Sequence, residues 1–127
     1  MCFTPIISFL TFAAEIALAF LVLSRNPKKP LNQVSAAMLF LLGMYQFSEF
    51  GICTSENALF WARIGHIAYT FLPALGIHWT LILTKSRRKI WFAYLVPAVF
   101  VILAATAKGF VNDAQCARYF IKVIYSW

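Results

Sequence analysis

Residues 5–30 read PIISFLTFAAEIALAFLVLSRNPKKP. From Pro5 to Leu23 the only ionisable side chain is Glu15, and the chain then turns polar at Ser24-Arg25-Asn26-Pro27-Lys28-Lys29-Pro30. A helix rises 1.5 Å per residue, and about 20 apolar residues cross a hydrocarbon core about 30 Å thick, so the run has the length of a membrane span. Pro5 suits a first helical turn, where its missing N–H costs little. The proline- and lysine-rich stretch after Leu23 breaks the helix. Thr4, Ser8, Thr11 and Glu15 recur at spacings of four, three and four and so form one polar stripe. Lipid cannot satisfy such a stripe, so it should face the protein interior.

The pattern repeats three times. Apolar runs at about 34–53, 59–84 and 90–107 follow the first at about 5–23. The third is long enough to tilt or protrude. Their links are the basic loop just quoted, Thr54-Ser55-Glu56-Asn57-Ala58, and Lys85-Ser86-Arg87-Arg88-Lys89. Short links make consecutive helices antiparallel neighbours. The expected fold is therefore all-α: one polytopic membrane domain over 1–127, with four antiparallel transmembrane helices and a short outer tail at 108–127. Composition agrees, with 62% hydrophobic and 12% charged residues against about 25% charged in soluble domains.

The formal charge is +7. The basic residues sit in clusters between apolar runs rather than along a stripe, which excludes nucleic acid as the expected partner and reads instead as topology. Arg25, Lys28, Lys29, Lys85, Arg87, Arg88 and Lys89 fall in the first and third links, and none in the second. By the positive-inside rule, loops 25–33 and 85–89 are cytoplasmic and the N-terminus is outside, in a plasma (inner) membrane. The tail is then outside despite Lys108, Arg118 and Lys122. Its aromatic, mixed-charge end, 118–127, suits an interfacial segment or a short strand. Residues 1–4 have no basic flank, so no secretory leader is expected. Cys2, Cys53 and Cys116 have neither CxxC nor zinc spacing. All three lie towards the outer side, and the sequence leaves open whether Cys53 and Cys116 bond.

Ionisable residues within spans carry functional hypotheses by default. These are Glu15, Glu49, Arg63 and His66, a candidate ligand-sensing or intramembrane polar network, with His78 further along. Gln46, Glu49 and Cys53 form a second stripe, and Arg63, His66, Thr70 and Pro73 a third. Glu49 and Arg63 each lie about one turn from the outer end of their helices, which predicts an ion pair. That pair would either fix helix register or wall an outward-opening pocket. Glu15 and His66 lie deeper and are expected to meet inside the bundle, as a titratable site or as packing. His78 is twelve residues, about 18 Å, beyond His66, so the two cannot share a metal ion. No metal site or cofactor is expected, and no catalytic constellation stands out. Pro73 and Pro97 should kink their helices. Trp61, Trp79, Trp91 and Tyr94 read as interface anchors.

Two stretches occur together: Asn26-Pro27-Lys28-Lys29-Pro30-Leu31-Asn32, and Ala58-Leu59-Phe60-Trp61-Ala62-Arg63-Ile64-Gly65-His66 followed by Phe71-Leu72-Pro73-Ala74-Leu75 and a basic turn. Together they resemble the N-terminal seven-transmembrane region of bacterial sensor histidine kinases and diguanylate cyclases. That region shows an Asn-Pro-x-x-x-x-Asn loop after its first helix, a Phe-Trp-Ala-Arg start to its third, and a mid-helix proline. The resemblance covers about residues 20–95, with Asn26, Pro27, Asn32, Trp61, Arg63 and Pro73 as motif positions. It implies a sensory input module of a signal-transduction protein, the first four of seven helices, homodimeric in full-length form. The signal would be a small molecule or the state of the membrane. The 127 residues hold no nucleotide-binding segment, so no enzymatic activity is expected of them. A small transporter or channel subunit, or a structural membrane protein, is the alternative. A transporter needs a continuous polar path, and the inner halves of the first two helices are apolar.

Overall fold

The structure, a computed structural model, describes residues 3–85, 90–106, 111–116 and 121–125, with side chains described for 5–85 and 90–106. Helices α1 (Phe3–Arg25) and α2 (Pro30–Thr54) form an antiparallel hairpin. Its turn is clamped by α2's own first residues. Asn32 Nδ2 donates to the carbonyls of Val22 and Asn26, both at 3.3 Å, and Gln33 Nε2 donates to that of Pro27 at 2.8 Å. These bonds satisfy carbonyls that the end of a helix otherwise leaves open. Helix α2 starts four residues before the expected position. Pro30 occupies its first turn behind an extended Lys29 (φ −80°, ψ 118°). A proline that reads as a breaker is here a starter, because its fixed φ already suits the first turn.

The third rod is two helices, α3 (Ala58–Thr70) and α4 (Leu72–Leu83), separated at Phe71. Pro73 sits in the first turn of α4, where it has no N–H for the carbonyl of Tyr69. Helix α5 (Trp91–Thr106) instead carries Pro97 in its interior without interruption. Three stretches, Pro5–Arg25, Pro30–Thr54 and Ala58–Leu83, are long and apolar enough to cross a membrane. The expected fourth is an apolar helix that is shorter over its described residues, α5 with 16.

The tail, expected as an interfacial segment or a short strand, forms a strand pair beside the helices. Strands β1 (Val111–Cys116) and β2 (Ile121–Tyr125) pair antiparallel, with an irregularity between Val111 and Asp113. The β-branched and aromatic residues Ile121, Val123, Ile124 and Tyr125 favour that conformation. Strand β1 lies against α3 and α2.

Helix α2 is the hub, touching α1, α3, α4 and β1, whereas α1 rests almost wholly on α2. Contacts are made by small side chains. The buried apolar residues are alanines with Val34 and Ile52, and the buried polar ones are Ser8, Ser48 and His66. Bulk faces outward, with Leu10, Phe20, Val96 and Ile102 all at least 60% exposed. Three glycines set the seams. A Cβ at Gly51 would overlap the Trp61 indole, one at Gly65 would overlap Ser48 Oγ, and one at Gly43 would lie 3.1 Å from Ile16 Cδ1. Around Gly51 the rings of Phe12 and Phe47 (4.9 Å, tilted) and of Phe47 and Trp61 (5.4 Å, edge-on) meet in sequence from α1 through α2 to α3. Trp61, expected as an interface anchor, is thus a packing knob between helices.

Candidate functional site

The seam between α2 and α3 fixes the level of the polar groups. Gly65 abuts Ser48, so His66 on α3 and Glu49 on α2 stand at similar depth. Ser8 Oγ of α1 donates to Glu49 Oε2 at 3.0 Å. Tyr45 stands one turn before Glu49 on the same helix, at the spacing where two side chains are neighbours. The Tyr45 ring meets that of Tyr69 edge-on at 6.0 Å, and the Tyr69 hydroxyl lies 2.8 Å from His66 Nδ1. The tautomer of His66 decides which of the two donates. His66 is 7% exposed and Ser8 3%. Ser8–Glu49 and Tyr69–His66 are thus two hydrogen-bonded pairs, and the edge-on contact of the Tyr45 and Tyr69 rings joins them into one chain of contacts across three helices. Thr70 and Ser48 belong to it only sterically, since Thr70 Oγ1 donates to the His66 carbonyl at 2.6 Å and Ser48 Oγ to that of Tyr45 at 2.6 Å.

The expected Glu49–Arg63 ion pair is not formed. Depth was read correctly, but azimuth was not. Trp61 and Gly65 mark the face of α3 that meets α2, and Arg63 lies two residues on from Trp61, about 200° round the helix. Glu49 is turned towards α1, where Ser8 takes it. The enclosed Arg63 Nε has no hydrogen-bond partner among the described residues.

The expected meeting of Glu15 with His66 also fails. Helix α2 stands between α1 and α3, and Glu15 is seven residues, about 10 Å, deeper than Ser8. Its Oε2 is enclosed without a hydrogen-bond partner among the described residues. Of the four candidates, the structure thus gathers Glu49 and His66 into one chain and leaves Glu15 and Arg63 outside it.

Sequence reasoning missed Tyr45 and Tyr69. The signal was present: Tyr45 is four residues before Glu49 and Tyr69 three after His66, the spacings at which side chains on one helix meet. His78, expected beside Trp79 at an interface, bonds across helices instead. Its Nδ1 lies 2.7 Å from the Tyr94 hydroxyl on α5, and Trp79 Nε1 donates to Ser35 Oγ on α2 at 3.0 Å. Cys53 is disulfide-bonded. The pairing with Cys116, which the sequence leaves open, falls on a side chain outside those described. Of the motif positions, Asn26 and Asn32 clamp the first turn around Pro27, Trp61 fills the α2–α3 seam, and Pro73 ends the continuity of the third rod.

Among the described residues no three His, Cys, Asp or Glu side chains converge as a metal site would require. A carboxylate held by a serine and an imidazole held by a phenol, joined by an edge-on contact of two tyrosine rings, can pass a displacement from one helix to the next. No protein-family model, no curated protein and no solved structure matches the chain.

Proposed function

We propose that this chain is a membrane-embedded sensory input module of a signal-transduction protein, of the kind that precedes a histidine kinase or diguanylate cyclase output domain. The observation that carries the reading is the chain of contacts from Ser8 and Glu49 to Tyr69 and His66, two hydrogen-bonded pairs joined by the Tyr45 and Tyr69 rings. Polar groups at membrane depth are costly and are kept where they act. Here they tie three helices together near one level. A signal that favours one arrangement of this chain biases the packing of α1, α2 and α3. The break at Phe71 lets α4, and the basic turn beyond it, respond as a separate lever. The positive-inside rule places that turn and the α1–α2 turn in the cytoplasm, where an output domain would receive the change. The resemblance over residues 20–95 points the same way.

The test is the reading frame and the response. Translation beyond residue 127 should run into three further apolar helices and a nucleotide-binding output domain. In that full-length protein, Glu49→Gln and His66→Ala should alter the dependence of output on signal while leaving membrane insertion intact. A four-rod protein that passes ions in proteoliposomes would contradict the sensory reading and establish the channel alternative.

A further inference from the structure

Between α1 and α2, at the end carrying the basic turn, lies an open groove of about 280 Å³. Its floor is made of Ala19, Ala36 and Ala37, and its walls of Phe20, Leu23 and Phe40. The floor is closed, with Ala19 and Ala36 each 8% exposed, while the walls stand out, Phe20 at 70% and Phe40 at 51%. Small residues opposite bulky ones leave a slot rather than a packed seam. The slot runs along α1 from Ile16 to Leu23, about 10 Å at the helical rise.

The mouth of the slot is positively charged. Gln33 lies at its rim, with its amide already donated to Pro27. Arg25, Lys28 and Lys29 are exposed on the adjoining turn, and none has an acidic partner among the described residues. The chain's four acids are Glu15, Glu49, Glu56 and Asp113. Glu15 lies ten residues up α1 from Arg25, and Glu49 and Glu56 lie at the other end of α2, so none of these three neutralises the turn. An apolar slot opening beside uncompensated cations fits a molecule with an acyl chain and an anionic head. Each lysine or arginine near an anionic lipid surface adds about 1 kcal/mol of attraction.

We infer that the α1–α2 groove is a binding site for one anionic phospholipid, its acyl chain between Phe20 and Phe40 and its phosphate against Arg25, Lys28 and Lys29. The inference rests on the membrane-embedded part of the reading above and is independent of the sensory part. A lipid held there buttresses the hairpin that carries Ser8 and Glu49.

Native mass spectrometry of the full chain in detergent micelles, titrated with palmitoyl-oleoyl-phosphatidylglycerol or palmitoyl-oleoyl-phosphatidylcholine, tests it. One phosphatidylglycerol should be retained per chain, with affinity roughly tenfold or more above phosphatidylcholine. Ala37→Trp, which fills the slot, should abolish retention. Phe40→Ala, which removes a wall without adding bulk, should weaken it, and Lys28→Gln with Lys29→Gln should erase the preference for the anionic head. Val99→Trp on the outer face of α5 should change nothing. Soluble glycerol 3-phosphate should not bind, since the slot requires the chain as well as the head. Equal retention of the two lipids, retention unaffected by Ala37→Trp, or a second copy of the chain occupying the groove would overturn the inference. A chain that is monodisperse without any detergent would overturn the membrane reading itself.

Discussion

Helices α2 and α5 are built from opposite materials and behave oppositely to what water would dictate. Helix α5 is the more apolar, yet only Pro97 and Ala104 are buried, and Trp91, Phe92, Leu95, Val96 and Val99 are all more than 50% exposed. Helix α2 carries Ser48, Glu49, Gln33 and Ser35, yet it is the hub and buries Val34, Ala36, Gly43, Ser48, Gly51 and Ile52. In a soluble protein, burial follows apolarity. Here it follows smallness and hydrogen bonding, which is how helices associate where the surrounding medium is as oily as leucine. The comparison explains why the polar chain passes through α2: the hub alone approaches its neighbours closely enough for Ser8 and Tyr69 to reach it.

The sharpest way to break that comparison is to add the same methyl group in different places. Gly51→Ala should destabilise the bundle by about 2–3 kcal/mol, because the new Cβ meets the Trp61 indole. Unfolding in micelles by SDS titration would measure it, and a neutral result would remove Gly51 from the seam. Gly65→Ala should cost about 1–3 kcal/mol against Ser48 Oγ, and Ser48→Ala should recover part of that loss in the same assay. Gly76→Ala, with nothing within 4 Å of the new Cβ, should instead stabilise α4 by about 0.5–1 kcal/mol through helix propensity. Ser8→Ala should cost about 0.6 kcal/mol, the usual worth of a hydrogen bond between helices in a membrane environment. Val99→Ala on α5 should shift stability by less than about 0.5 kcal/mol.

Rods and turns were legible in the sequence because hydropathy and proline report the local chain. The start of α2 was misplaced by four residues because Pro30 breaks or begins a helix depending on the residue before it, and the extended Lys29 settles which. The shared depth of Glu49 and Arg63 was also legible, since rise per residue is fixed; His66 was set deeper, and the close approach of Gly65 to Ser48 brings it near the level of Glu49. The ion pair was not legible, because depth says nothing of azimuth: Gly51 and Gly65 orient α3 on Trp61's side and turn Arg63 away. Glu15 and His66 were paired on depth alone, and no periodicity reveals that α2 stands between their helices. The role of Trp61 was misread for a related reason. A tryptophan near a helix end suits a membrane interface, and only the bare Cα of Gly51 opposite makes it a knob instead.

The central claim is that lipid covers the outward faces of this bundle. A nitroxide placed in turn at Leu18, Phe40 and Val99 in the liposome-reconstituted chain tests it by collision with molecular oxygen, which partitions into lipid, and with a water-soluble nickel chelate. The account predicts high oxygen and low nickel accessibility at all three positions, with the reverse at Lys28. Nickel accessibility at Leu18, Phe40 and Val99 equal to that at Lys28 would contradict it.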